Sequence, residues 1–290
     1  MLYAVSHITR HWYGSLVSLS LSELRLTPRS LPYQQVRESN IRVQPEASDF
    51  QRRKDYFGND VTTVSVYEPH NCLTIEATSI VEVLRQEPNA PASLSWEEAR
   101  DRLATQSGSG CLEALQFVFD SPFVSQGPEL AEFTHPTFTP GRPMLEALQE
   151  FMSRIHTEFS YRPESTSIDV PLLEVLRKRE GVCQDFAHIM IGALRSLHLA
   201  ARYVSGYLRS NSTFRGAAAS HAWVSVFVPG TGWLSFDPTN DVMPSEGHIT
   251  LALGRDYGDV TPVKGISVGG GAQSVAVEVR VQPIETLTQT

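Results

Sequence analysis

A glycine at position 181 halts the chain just ahead of a helix that carries a cysteine on its apolar stripe, and this stretch restricts the fold more than any other. From Cys183 onward the positions Phe186, Ile189, Met190, Ala193, Leu194 and Leu197 recur in steps of three and four, which marks one buried helical face. Cys183 lies three residues before Phe186 and so points inward, toward whatever the helix packs against. It also sits in the first turn, where N–H groups without intrahelical partners form a positive end. Such an end, with an imidazolium beside it, favours the thiolate, and the same N–H groups can donate to an oxyanion about 3 Å away. Ala187 leaves room for an imidazole to approach. His188, five residues on, is about 140° around the helix from Cys183, and Asp185 is about 200° away. Neither is expected to partner the thiol, and no metal site is expected from the three.

A base and an orienting carboxylate follow in chain order. His221-Ala222-Trp223-Val224-Ser225-Val226-Phe227-Val228 alternates like a strand, Pro229-Gly230-Thr231-Gly232 turns, and Trp233-Leu234-Ser235-Phe236-Asp237 returns. His221 and Asp237 then lie at one end of a hairpin. If the numbers of opposed residues sum to about 458 or 460, both face one side of the sheet, whereas a slip by one residue separates them. In the even register Asp237 accepts from one ring nitrogen of His221, fixes its tautomer and leaves the other nitrogen for the thiol. Pro238 restricts the residue before it and helps hold Asp237. Trp223, two residues beyond His221, is expected to shield the ion pair from water.

The first third of the chain reads as strands. Leu19, Leu21, Leu24 and Leu26 alternate with one slip, Thr27 to Pro32 turns, and Gln35–Val43, Val61–Tyr67 and Cys72–Val83 follow. Short strands at this spacing without intervening helices favour an antiparallel sandwich. His7, His11 and His70 are too scattered for metal ligands, and Cys72 reads as a small buried hydrophobe. Glu87 to Ala92 is the expected linker, and Ser95 with Glu98 forms a capping box at the next helix. The expected division is a β-rich domain over 1–92 and a cysteine domain over 93–290. In the second, Pro122 to Pro143 is irregular, Met144–Phe159 and Val170–Arg179 are helical, and Ala272–Val281 is a last strand. The fold class is α+β.

With 290 residues the chain is long enough for two domains, and 41% hydrophobic against 19% charged residues suits a globular protein. A formal charge of −8 argues against nucleic acid or an anionic membrane as partner. The one basic cluster, Arg52-Arg53-Lys54, precedes Asp55 and reads as a solvated loop. No apolar run approaches the roughly 18 residues of a membrane span. The start of the chain lacks the pattern of a signal peptide, and Cys72, Cys111 and Cys183 are an odd set at irregular spacing, so the cytoplasm is the expected compartment.

Three stretches, GVCQDFAHIMIGALRSLHLAARYVSGYL from Gly181, SHAWVSVFVPGTGWLSFDPTND from Ser220 and HITLALGRDYGDVTPVKG from His248, resemble the bacterial transglutaminase-like proteins, with a weaker echo in YFGNDV from Tyr56. The resemblance implies a papain-like core whose Cys–His–Asp triad maps onto Cys183, His221 and Asp237. It implies attack of the thiolate on a carboxamide or peptide carbonyl, giving a thioester that water or an amine resolves. The calcium loop of the acidic twelve-residue type is absent from the sequence, and no cofactor is expected. Hydrolysis of a peptide or protein substrate is the preferred reaction. Transfer to an amine is the alternative, as is a protein-binding module with a relic triad. Gln184, Trp223, Arg255, Asp256 and Tyr257 are candidates for substrate contact or support of the triad. No residue upstream of Cys183 announces itself as a second oxyanion donor.

Overall fold

The computed structural model describes residues 1–84, 94–163, 170–210, 213–217 and 219–284, so the expected linker from Glu87 to Ala92 lies outside the described residues. Five strands come first: β1 (Leu2–Leu24), β2 (Gln34–Gln44), β3 (Asp49–Lys54), β4 (Asp60–Val66) and β5 (His70–Val83). The middle of the chain holds α1 (Trp96–Ala104), α2 (Cys111–Leu115), α3 (Pro128–Thr134), α4 (Met144–Glu158), the short β6 (Ser160–Tyr161), α5 (Leu172–Lys178), the short β7 (Glu180–Gly181) and α6 (Cys183–Ser196). Then follow β8 (Ala201–Leu208), β9 (His221–Val228), β10 (Gly232–Phe236), β11 (His248–Gly254), α7 (Tyr257–Val260), β12 (Val263–Gly269) and β13 (Gln273–Pro283). Among the described residues no helix is long and apolar enough to cross a membrane.

The 23 residues of β1 organise the sandwich. One edge pairs β5 along its first half and β4 along its second, with β2 and β3 outside them. Leu24, Leu26, Val64 and Val66 from the second half pack on Ile41, Leu73, Ile75 and Ala77 from the first, closing two layers over one core. The other edge of β1 takes β13, with Tyr3 opposite Pro283, and β12, with Leu24 opposite Val263. This corrects the expected division: 1–92 holds only part of the sandwich, and 93–290 contains strands that complete it. A strand this long presents two rows of backbone groups, and β4 and β5 satisfy only one row.

Smaller corrections follow the same logic. The Arg52-Arg53-Lys54 cluster belongs to the exposed edge strand β3 rather than a loop, where charges discourage further pairing. Cys72 is half-buried, because it stands opposite Trp12 while the alternate residues Leu73, Ile75 and Ala77 face the core. The Pro-rich run contains α3, which starts at Pro128. Ser95 accepts from Glu98 N at 3.2 Å as its capping role requires.

The α6 stripe packs on an antiparallel sheet of order β10-β9-β8-β11. Phe186, Ile189, Met190 and Ala193 share one core with Ala222, Val224 and Val226 of β9, and that core extends to Tyr3, Val5 and Val281 of the sandwich. At the edge, β11 has no further strand beside it among the described residues, and two buried carboxamides take that place. Gln34 donates to Thr250 O at 2.7 Å and accepts from Thr250 N at 2.8 Å. Asn59 does the same to Leu253, at 2.8 Å in both directions. A third tie is Tyr207, whose hydroxyl is 2.9 Å from His7 Nδ1, while His7 Nε2 is 2.9 Å from Thr9 Oγ1. Burial pushes His7 from 6.5 to about 4, so the ring is neutral.

Two outcomes test this joint. Gln34→Leu or Asn59→Leu orphans a buried backbone pair on β11 and should lower unfolding stability by about 1–3 kcal/mol, read as a lower urea midpoint. Because folding lowers the pKa of His7, the unfolded chain binds the extra proton between pH 6.5 and about 4. Stability should therefore fall with pH across that window by up to ~1.4 kcal/mol per pH unit, and His7→Gln should flatten the slope.

Candidate active site

The start of α6 is fixed by a glycine and an aspartate. Gly181 pairs with Tyr161 in the parallel β6–β7 bridge, and Arg162 N donates to Gly181 O at 2.9 Å. A Cβ at Gly181 would stand 2.6 Å from Asp185 Oδ2, so only glycine lets that carboxylate reach back to accept from Val182 N at 2.8 Å. Asp185 therefore caps the helix from the side away from the thiol. Cys183 is left half-buried in the first turn.

Phe236 pairs with Val224 and Gly232 with Val228, the even register that puts His221 and Asp237 on one side of the hairpin. His221 Nε2 is 2.8 Å from Asp237 Oδ2, and both residues are buried. Asp237 Oδ1 accepts from Thr239 N at 3.0 Å and Asn240 N at 3.3 Å. Asp237 Oδ2 also receives Asn240 Nδ2 at 2.8 Å and His248 Nε2 at 3.2 Å. Burial alone would raise Asp237, but His221 and these donors hold it below the usual carboxylate range. For His221 burial opposes the charged form, and the charges of Asp237 and Cys183 outweigh it and raise the imidazole above 6.5. His248 is instead lowered by burial, so it serves Asp237 as a neutral donor.

Among the described residues the remaining ring nitrogen, His221 Nδ1, is buried without a hydrogen-bond partner, and the charge of Cys183 acts on the ring. Gly216 lies over this nitrogen: a Cβ there would come within 2.8 Å of Nδ1. Asn240 holds the covering segment by accepting from Arg215 N at 2.7 Å. Trp223 stacks on His221 with centroids 6.2 Å apart and meets His248 edge-on at 5.2 Å. The indole fits because a Cβ at Gly206 would stand 2.3 Å from it.

Three tyrosines feel the charge of Cys183. Tyr161, Tyr203 and Tyr257 are all pushed up, by burial first and by the Cys183 charge as well. His188, set aside as a partner of Cys183, accepts from Tyr257 N at 3.2 Å and stacks on Phe123. Burial holds it near 4, which keeps that nitrogen free to accept. Asp256 caps α7 through Gly258 N at 2.9 Å and accepts from Phe123 N at 2.9 Å. Arg255 forms a two-point pair with Asp259 at 2.8 and 3.0 Å, and its carbonyl accepts from the buried Arg195 at 2.7 Å. Of that trio only Tyr257 reaches the thiol's field; Arg255 and Asp256 shape the loop that carries it. Gln184 is half-buried beside Cys183.

Sequence reasoning missed His248, Asn240, Tyr161 and Tyr203. A histidine opening the alternating run from His248 was a usable signal, since His221 opens its strand in the same way. Among the described residues no cluster of His, Cys, Asp and Glu could hold a metal ion.

The bacterial transglutaminase-like N-terminal region matches residues 3–82, and the transglutaminase-like superfamily core matches residues 131–238. An uncharacterised protein of Mycobacterium tuberculosis is 39% identical over 297 residues, covering 98% of this chain and 93% of its own length. A Pseudomonas aeruginosa protein described as a protein-glutamine gamma-glutamyltransferase is 34% identical over 111 residues, which is 35% of this chain and 17% of that protein. The structure of a candidate cysteine protease from Cytophaga hutchinsonii superposes with a TM-score of 0.79 at 19% identity, over 99% of this chain and 91% of that one. With both matched regions in order and a relative aligned along nearly its whole length, the chain belongs to the transglutaminase-like superfamily, in its bacterial form with the N-terminal region ahead of the core.

Proposed function

We propose that the chain is a cysteine hydrolase that cleaves peptide or carboxamide bonds through a thioester on Cys183. The observation that carries this reading is the buried His221–Asp237 pair, 2.8 Å apart, whose other ring nitrogen has no hydrogen-bond partner among the described residues while the charge of Cys183 acts on the same ring. A raised His221 beside Cys183 favours a thiolate–imidazolium pair, the reactive form of such a nucleophile.

In the reaction the Cys183 sulfur adds to the carbonyl carbon and the carbonyl π electrons move onto oxygen. His221 then gives its proton to the departing nitrogen as the carbonyl re-forms, leaving a thioester. Water, deprotonated by His221, attacks the thioester, and collapse expels the thiolate with the acid product. Asp237 stays ionised throughout and stabilises the imidazolium. Trp223 and Gly216 keep water from the pair, which strengthens the electrostatic coupling.

Transfer to an amine is the second reading, favoured by the relative described as a protein-glutamine gamma-glutamyltransferase. It differs only in which nucleophile resolves the thioester. A glutamine peptide with a fluorescent primary amine separates the two: hydrolysis releases ammonia without labelling the peptide, whereas transfer labels it in proportion to the ammonia released.

Iodoacetamide should modify Cys183 faster than Cys72 or Cys111, and His221→Ala should remove that advantage; equal rates at the three thiols would sink the proposal. Asp237→Asn should lower kcat by about 10³-fold or more. It should also move the alkaline limb of kcat/KM toward acid. Without the carboxylate, burial dominates His221 and the ring loses its proton at lower pH, an effect a pH–rate profile reads directly.

A further inference from the structure

The thioester reaction needs donors aimed at the carbonyl oxygen as it becomes negative, and the first turn of α6 supplies only backbone N–H groups from one side. Tyr161 is placed to supply a second. Its backbone pairs with Gly181, two residues before the thiol. Its ring meets Phe186 edge-on at 6.2 Å, and Phe186 shares the helical face of Cys183 one turn along. The ring is thus held alongside the turn that carries the sulfur.

The hydroxyl end opens on the reactive pair. A Cβ at Gly216 would stand 3.6 Å from Tyr161 Oη and 2.8 Å from His221 Nδ1, so both atoms border one small space that glycine leaves free. Among the described residues the hydroxyl donates to no other group. Burial, with the Cys183 charge behind it, pushes the phenol up to about 12, so it remains a proton donor wherever the thiolate exists. Of the other two tyrosines, Tyr203 is enclosed between the His188 and Tyr257 rings, and Tyr257 meets Tyr203 edge-on, whereas the tyrosine oxygen found at the Gly216 space is that of Tyr161.

We propose that Tyr161 is a catalytic residue whose hydroxyl donates a hydrogen bond to the substrate oxygen in the tetrahedral intermediate, opposite the α6 N–H groups. The sulfur–carbon bond forms, the π pair moves to oxygen, and that oxygen accepts from Tyr161 without taking its proton. Collapse returns the pair to the C=O bond and expels the leaving group. The inference rests on Cys183 being the nucleophile.

Two reactions of the same sulfur separate the roles. Acylation by p-nitrophenyl acetate passes through an oxyanion; alkylation by iodoacetamide displaces iodide and does not. In full-length Tyr161→Phe, with its melting temperature matched to wild type, acylation of Cys183 should fall about 10²-fold while alkylation changes less than about twofold. An equal fall in both would make Tyr161 a partner of the thiolate, and an unchanged acylation rate would remove it from the chemistry; either overturns the proposal. If wild-type Cys183 is alkylated no faster than Cys72 and His221→Ala alters neither reaction, the nucleophile assignment itself fails. That result is distinct from a Tyr161→Phe variant that merely acylates normally.

Discussion

One buried carboxylate gathers the parts of this molecule. An aspartate enclosed without partners would take up a proton, because burial penalises its charge. Asp237 keeps its charge because donors arrive from separate places in the chain: His221 on β9, His248 on β11, and Thr239 and Asn240 from its own turn. Each donor commits its element to one position. β11 is in turn held by Gln34 and Asn59, so the sandwich reaches the site through this strand and its His248–Asp237 contact. Asn240 extends the same network to the segment that covers His221.

Three histidines show how the surroundings decide the role of one side chain. Among the described residues no carboxylate lies at hydrogen-bond distance from the buried His7 and His188, so desolvation holds each near 4 and each works as a neutral link, to Tyr207 and to the Tyr257 backbone. His221 is buried equally well, but the charges of Asp237 and Cys183 reverse the balance. The paired carboxylate and the nearby charge of Cys183 are what distinguish His221 from the two purely structural rings.

Local periodicity made the functional elements readable. The stripe from Phe186 to Leu197 faces β9 as its spacing implied, and the hairpin adopts the even register on which the His221–Asp237 contact depends. The helical angle that set Asp185 and His188 away from Cys183 agrees with where they lie: one caps the helix, the other supports α7. What stayed hidden is non-local. Nothing near Val263 or Gln273 reveals that these strands seek the free edge of β1, because that need arises more than two hundred residues earlier. His248 escaped for a similar reason, since it meets Asp237 only after β11 has docked beside β8. Tyr161 sits in a two-residue strand too short to leave a pattern.

The return of β12 and β13 to β1 makes the thiol-bearing part an excursion that leaves the sandwich after β5 and re-enters it at β12, on opposite edges of one strand. A polypeptide tethered at both ends in this way is not free to swing on a single hinge, and neither part completes its hydrogen bonding alone. Melting should then be shared: loss of the sandwich releases β11, and with it the electrostatic setting of the sulfur. In an evolutionary sense such a unit would travel between genes as an insert within its host, with both flanking halves, and not as a segment joined at one seam.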